Sequence, residues 1–243
     1  MVPEDKAAIL PDGTSFTEGV VLPFALEAAV CALCVDQPGM AMPGVATPAL
    51  GLPLPSPGDT VKSISKTLVV VGGSASTGSM VTQMATAAGI NVIAITGAKN
   101  ADLVKQCGAS VVLDRHDESL VDNIVDAFNA TGTTEFVGIF DAISSSETYA
   151  QDLAILAKLG GGHLACTHPP PADVPANVQA GMIFAVNDVA APVWKEFVTP
   201  ALRSGQLKCL PPPMVVGKGL QYIDKALKIV KAGVSGTKVV VEL

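Results

Sequence analysis

From Thr67 onward, short continuous apolar runs alternate with longer stretches in which apolar residues recur every three or four positions. The first pattern predicts buried strands and the second amphipathic helices. Residues 67–73 (TLVVVGG) read as a strand and 77–88 as a helix closed by Gly89. A second strand is expected over 91–96 (NVIAIT), followed by a short helix, ADLVKQC, capped by Asn100 and ended by Gly108. Residues 110–114 (SVVLD) give a third strand, and Asp117 is expected to cap the helix ESLVDNIVDAF. The fourth strand is 135–141 (EFVGIFD), after which Ser146 opens the helix ETYAQDLAILAKL. Residues 163–167 (HLACT) form a fifth strand and 182–186 a sixth.

The strands are unbroken in Val, Ile and Leu, which is the pattern of burial on both faces. Strand, helix and strand at this rhythm imply right-handed crossovers and a parallel sheet with helices on either side. The expectation is therefore an α/β fold, a Rossmann-type doubly wound parallel sheet over 61–204. Residues 1–60 add a helix over 16–35 and a Pro/Gly-rich connection with six prolines from Pro38 to Pro57, which cannot be regular helix. Residues 205–243 add a second proline block at 211–213, a helix over 220–232 and a final strand over 238–243.

Composition narrows the classes. Hydrophobic residues make up 49% of the 243 and charged residues 15%, enough for a sizeable core. A net charge of −7 argues against nucleic acid or an anionic membrane as partner. No run approaches the roughly 20 apolar residues that span a bilayer, and the opening MVPEDKAAILPDG has no signal-peptide pattern. The five cysteines, Cys31, Cys34, Cys107, Cys166 and Cys209, read as reduced thiols of a cytoplasmic protein. Cys31 and Cys34 form a CxxC within an Ala-rich helix, where packing of small thiols is preferred over metal binding.

The sharpest signal follows the first strand. Gly72-Gly73-Ser74-Ala75-Ser76-Thr77-Gly78 opens a helix, and Gly73, Ala75 and Gly78 stand where a dinucleotide-binding loop has its three small residues. Exposed N–H groups and the helix dipole attract a diphosphate there, and Ser74, Ser76 and Thr77 offer hydroxyl donors. The alternative is a tight turn kept small for packing. The end of the second strand reads Ile95-Thr96-Gly97-Ala98-Lys99-Asn100, with no carboxylate to bond a ribose 2′-hydroxyl. Thr96 and Lys99 suit a 2′-phosphate instead, so NADPH is the expected cofactor, although Lys99 also suits a solvated first turn.

With these residues assembled, the stretch VVVGGSASTGSMVTQMATAAGINVIAITGAKNADLVKQCGASVVLD resembles the cofactor domain of medium-chain dehydrogenases/reductases. Its nearest branch is the zinc-free fungal group that includes trans-acting enoyl reductases. FDAIS, GGHLACTHP, AGVSGTKVVVEL and the opening VPEDKAAILPDGTSFTEG are similar to that branch too. The resemblance implies hydride transfer to an activated C=C of a small molecule and places Ala142, Ile143 and Ser144 beside the cofactor. It also implies a GroES-like domain ahead of this segment, which the 243 residues do not include.

Candidate chemistry lies at the end of the fifth strand. His168 is expected at the ligand crevice as a proton donor or substrate contact, or else as a plain loop histidine. His163 and Cys166 fall on opposite strand faces, so no zinc site is expected. Asp141 reads as a turn or cap residue, and Tyr149 and Tyr222 as packing or surface. Two further functions stay open: a non-redox step such as cyclisation, isomerisation or dehydration, and a non-catalytic NADPH-binding subunit. Apolar surface left bare predicts a homodimer or a partner enzyme.

Overall fold

The computed structural model describes residues 3–58 and 61–243. Val2, where the family-like opening starts, and residue 60, where the N-terminal segment is expected to end, lie outside them.

The expected first helix is two pieces, α1 (Phe16–Gly19) and α2 (Pro23–Cys34). Pro23 accounts for the break. It has no N–H to continue a helix, but it suits the first turn of a new one, where it sits. Ser15 and Glu18 close α1 with reciprocal side-chain-to-backbone bonds. Within the Pro/Gly-rich connection lies a small hairpin, β1 (Met40–Met42) and β2 (Val45–Ala46), which is too short for periodicity to reveal.

Next come β3 (Lys66–Val71), α3 (Ser76–Ala87), β4 (Asn91–Thr96), α4 (Ala101–Gln106), β5 (Val111–Asp114) and α5 (Leu120–Ala130). β6 (Glu135–Asp141), α6 (Ser146–Lys158), β7 (Gly162–Cys166) and β8 (Val178–Met182) complete the repeat. The six strands run β5-β4-β3-β6-β7-β8, every pair parallel. This is the doubly wound sheet expected, and its order reverses between β3 and β6, where such sheets bind ligands.

The last strand corrects the reading of 182–186. Register sets it earlier, with Gly162 beside Val178 and Cys166 beside Met182. The apolar residues beyond it line a crevice instead, and Val186 is 75% exposed. Two caps also differ. Asn100 makes no cap bond, because its side chain donates to Ser74 and Ser235. Asp117 binds the N–H of Ser119, one turn before α5 starts at Leu120.

Each sheet face carries its own core. α5 and α6 cover one face through Leu120, Ile124, Ile155 and Leu156. α2, α3, Trp194 and Phe197 cover the other. Contrary to the reading that no apolar run nears spanning length, Phe16–Cys34 covers 19 residues at a mean hydropathy of 1.6. It is mostly buried, and α2 packs its Ala25, Ala29 and Ala32 face into the same core as α3. Side chains of Leu26 size buried this way contribute about 1.5–3 kcal/mol each.

A π-helical turn over Val193–Phe197 leads into α7 (Val198–Ser204). β9 (Pro213–Lys218), α8 (Ile223–Ala232) and β10 (Lys238–Glu242) follow. β9 is unexpected. It uses the proline block as its start and pairs with β10 in a separate two-stranded parallel sheet. α8 is amphipathic, yet none of its residues is buried. Leu220, Ile223, Leu227, Val230 and Val234 form an exposed apolar stripe.

Candidate functional site

β3 delivers the chain to Gly72, which adopts φ +73°, and the turn closes with Ala75 N–H donating to the Gly72 carbonyl at 2.8 Å. α3 then starts with no side-chain cap, which leaves its first N–H groups for a ligand. Two points of this loop disfavour a side chain, Gly78 for want of room against backbone and Gly72 through its positive φ. A Cβ on Gly78 would stand 2.2 Å from the Gly72 oxygen, and one on Gly72 would stand 2.8 Å from Ile143 Cδ1. Gly73 packs underneath against Ala94 and Val104.

The loop borders a groove of about 470 Å³ at the C-terminal ends of β3, β4 and β5. Ser74, Ala75, Thr96, Lys99 and Ile143 of the expected set line it. Ser74 Oγ accepts from Thr96 at 2.9 Å and from Asn100 at 3.1 Å, which leaves its own proton to donate. Ser76 stands at the helix start, where its hydroxyl accepts from Lys238 Nζ at 2.8 Å. Thr77 borders a second, neighbouring space instead. Ser144 does not line the groove. It holds the turn after β6 at φ +54°, donating to the Asp141 carbonyl and accepting from Thr167 N–H at 2.8 Å.

Sequence reasoning missed four side chains here. Arg115 and His116 line the groove just after β5, on the same side as Lys99. A cation directly after the strand next to β4 was a legible sign. Lys238 comes from β10, and no local motif ties it to Ser76, 162 positions away. Its ammonium also lies 5.5 Å from the Phe24 ring, and burial lowers its pKa. Glu147, in the first turn of α6, brings a carboxylate to the same lining.

Beyond Ala142 opens a second cavity of about 820 Å³, walled mainly by Phe24, Ala28, Ile183, Phe184, Val186 and Trp194. His168, Lys6 and Glu27 also border it. Tyr149 steadies the His168 segment by donating to the carbonyl of Pro169 at 2.9 Å. Lys6 is tied to the Asn187 carbonyl at 2.5 Å and to Asp188 at 3.3 Å.

Behind both spaces, Asp141 is fully buried and acts as a turn residue. It accepts from Ile143 N–H at 2.8 Å and from Thr148 at 2.6 Å. Asp152 is equally buried, and neither of its carboxyl oxygens has a partner among the described residues. Burial, and then the neighbouring Asp141, push its pKa well above the usual carboxylate range. Burial likewise pushes the Cys166 thiol up to about 12 and lowers the pKa of His163. His163 borders neither space. Cys31 and Cys34 are free thiols, and burial pushes Cys34 to about 12. Among the described residues, no three of His, Cys, Asp and Glu converge as a metal site.

Residues 76–184 match the model of the zinc-binding dehydrogenase family. The whole chain is 64% identical to dehydrogenase orsE of Emericella nidulans, over 70% of that protein. It is 31% identical to trans-enoyl reductase himH of Aspergillus japonicus, again over its full length and 67% of that protein. The chain belongs to the medium-chain dehydrogenases/reductases. Solved structures agree on the fold. The CurK enoyl reductase superposes with a TM-score of 0.65 at 15% identity, over 96% of this chain and 64% of that one. A mycobacterial protein complexed with NADPH gives 0.67 at 21% identity, over 100% and 69%. The chain thus spans about two thirds of the length of its medium-chain relatives. The family's description names zinc, but among the described residues no set of side chains assembles a zinc site.

Proposed function

We propose that this chain holds NADPH in the glycine-lined groove and reduces the activated C=C of a small molecule seated in the adjoining apolar cavity. The observation that carries this reading is the loop itself. Gly78 has no room for a side chain and Gly72 turns at φ +73°, at the start of an uncapped helix, with Lys99 and Arg115 lining the groove and no carboxylate at Thr96. The main-chain groups of Gly73, Ser74, Ala75, Ser76, Thr77 and Gly78 would cradle the diphosphate, with Lys238 beside it. Thr96, Lys99 and Arg115 would take the 2′-phosphate. Ile143, and Ser144 through the turn it holds, would fix the nicotinamide side.

Bound there, NADPH would supply the hydride, which is the hard part of the chemistry. The chain's own work is to hold the acceptor at the edge formed by Ala142, to exclude water with the apolar walls, and to deliver a proton. His168, which lines the cavity, is the group we assign to protonation or substrate contact. Resemblance to enoyl reductases supports this choice, and dehydrogenases of fungal secondary metabolism form its context. Self-association into a homodimer would cover the stripe on α8, unless a partner enzyme does so.

The test is calorimetric titration with NADPH and NADH, followed by loss of reduced-nicotinamide absorbance with simple enones. Tight NADPH binding with weaker NADH binding is expected. No heat from either dinucleotide would end the reading. Light scattering on a sized sample checks the dimer, and a monomer mass would remove that part.

A further inference from the structure

The second cavity is mostly apolar, and among the described residues that line it one buried side-chain oxygen has no hydrogen-bond partner. Glu27 lies on α2, among alanines, and borders the cavity. Its Oε1 accepts from the Trp194 indole N–H at 2.7 Å, which anchors the side chain. Its Oε2 is shut off from solvent and has no hydrogen-bond partner among the described residues. A buried carboxylate oxygen without a donor is costly, and proteins rarely leave one so. Glu27 lines the cavity, so the donor that this oxygen lacks would come from a molecule held there.

Resting on the reading of this cavity as the substrate site, we infer that Glu27 selects an apolar, ring-sized substrate bearing a hydroxyl group, whose O–H donates to the free carboxylate oxygen. A neutral donor fits better than a cation, because Lys6 borders the same space and repels a second positive charge. A molecule without a donor would leave the oxygen starved, and that makes the contact a discriminator. A site built to bond a hydroxyl rejects the analogue lacking one far more strongly than an apolar pocket can.

The test compares 2-naphthol with its methyl ether, 2-methoxynaphthalene, by calorimetry on the full chain at neutral pH. Wild type is expected to bind the naphthol at least about tenfold more tightly, as a hydrogen bond to a charged acceptor allows. Glu27→Gln keeps an acceptor for Trp194 but presents N–H groups in place of the free oxygen, so the two affinities should converge to within about twofold. Glu27→Leu, checked by thermal melting for folding, should do the same with ether binding kept. Equal affinities in wild type, a preference that persists in Glu27→Gln, or no binding of either probe would overturn the inference. So would tighter binding of 2-naphthylmethylammonium than of the naphthol. NADPH titration of the same samples reads the dinucleotide proposal separately, and Glu27→Gln should leave it unchanged.

Discussion

Adding one methyl group at Gly78 tests the diphosphate cradle more sharply than removing any side chain would. In Gly78→Ala the new Cβ would lie 2.2 Å from the Gly72 oxygen and 2.9 Å from its carbonyl carbon, both backbone atoms. Neither can swing aside as a side chain would. The start of α3 and the loop must therefore part by about 1 Å to restore an ordinary contact. A phosphate oxygen held at ~2.9 Å from these amides would then stand near ~3.9 Å, beyond hydrogen-bond range. Losing one charge-assisted bond costs about 1.5–3 kcal/mol, which is roughly ten- to a hundredfold in Kd. The overpacked turn should also cost about 1–3 kcal/mol of folding stability. Titration calorimetry with NADPH and urea unfolding read the two effects apart. Gly39→Ala is the matched control, since its Cβ meets only Thr47 Oγ1 at an ordinary 3.5 Å. A folded Gly78→Ala protein that binds NADPH within twofold of wild type would refute the reasoning.

Other perturbations address the remaining parts. Lys238→Met should weaken NADPH about tenfold and flatten the loss of affinity with added salt, because it removes a half-buried cation beside the helix start. The pair Lys99→Ala and Arg115→Ala should erase the preference for NADPH over NADH in competition titrations, and an unchanged ratio would move the 2′-phosphate elsewhere. Asp152→Asn should raise the melting temperature at neutral pH. The folded-state pKa of Asp152 is raised by burial, so the wild-type protein loses stability as pH climbs above the unfolded carboxylate value. The gain from Asn should therefore shrink toward acidic pH, and a gain that is flat with pH would contradict the assignment. His168→Ala should slow enone reduction at least tenfold with NADPH affinity intact, and equal loss of both would mark it as a structural residue.

The sheet was legible because burial on both faces writes unbroken apolar strands, and because helices between them repeat at a fixed rhythm. The glycine turn that opens α3 was legible for a related reason: Gly72, Gly73 and Gly78 act within seven residues of one another. What escaped was assembled over long separations. Lys238 reaches Ser76 from the far end of the chain, and the pairing of Glu27 with Trp194 bridges α2 and the turn before α7. Composition also misled at 182–186, where apolar residues signal a crevice wall rather than a strand. Asn100 misled in another way. It has the chemistry of a cap, but its amide group donates to the Ser74 and Ser235 hydroxyls, and that orientation leaves the helix N–H groups without its oxygen.

The strand that carries Lys238 has a single neighbour, and a pair of strands is barely stable in water on its own. Its companion helix turns Leu227 and the adjoining aliphatic side chains outward, so this corner of the molecule presents bare apolar surface. Anything that shelters those side chains also stiffens the lysine's platform. On the proposed reading, the strength with which the glycine loop would retain an anion depends on a surface that the anion never touches. Detergent, protein concentration and temperature should each register in the measured cofactor affinity through that same corner.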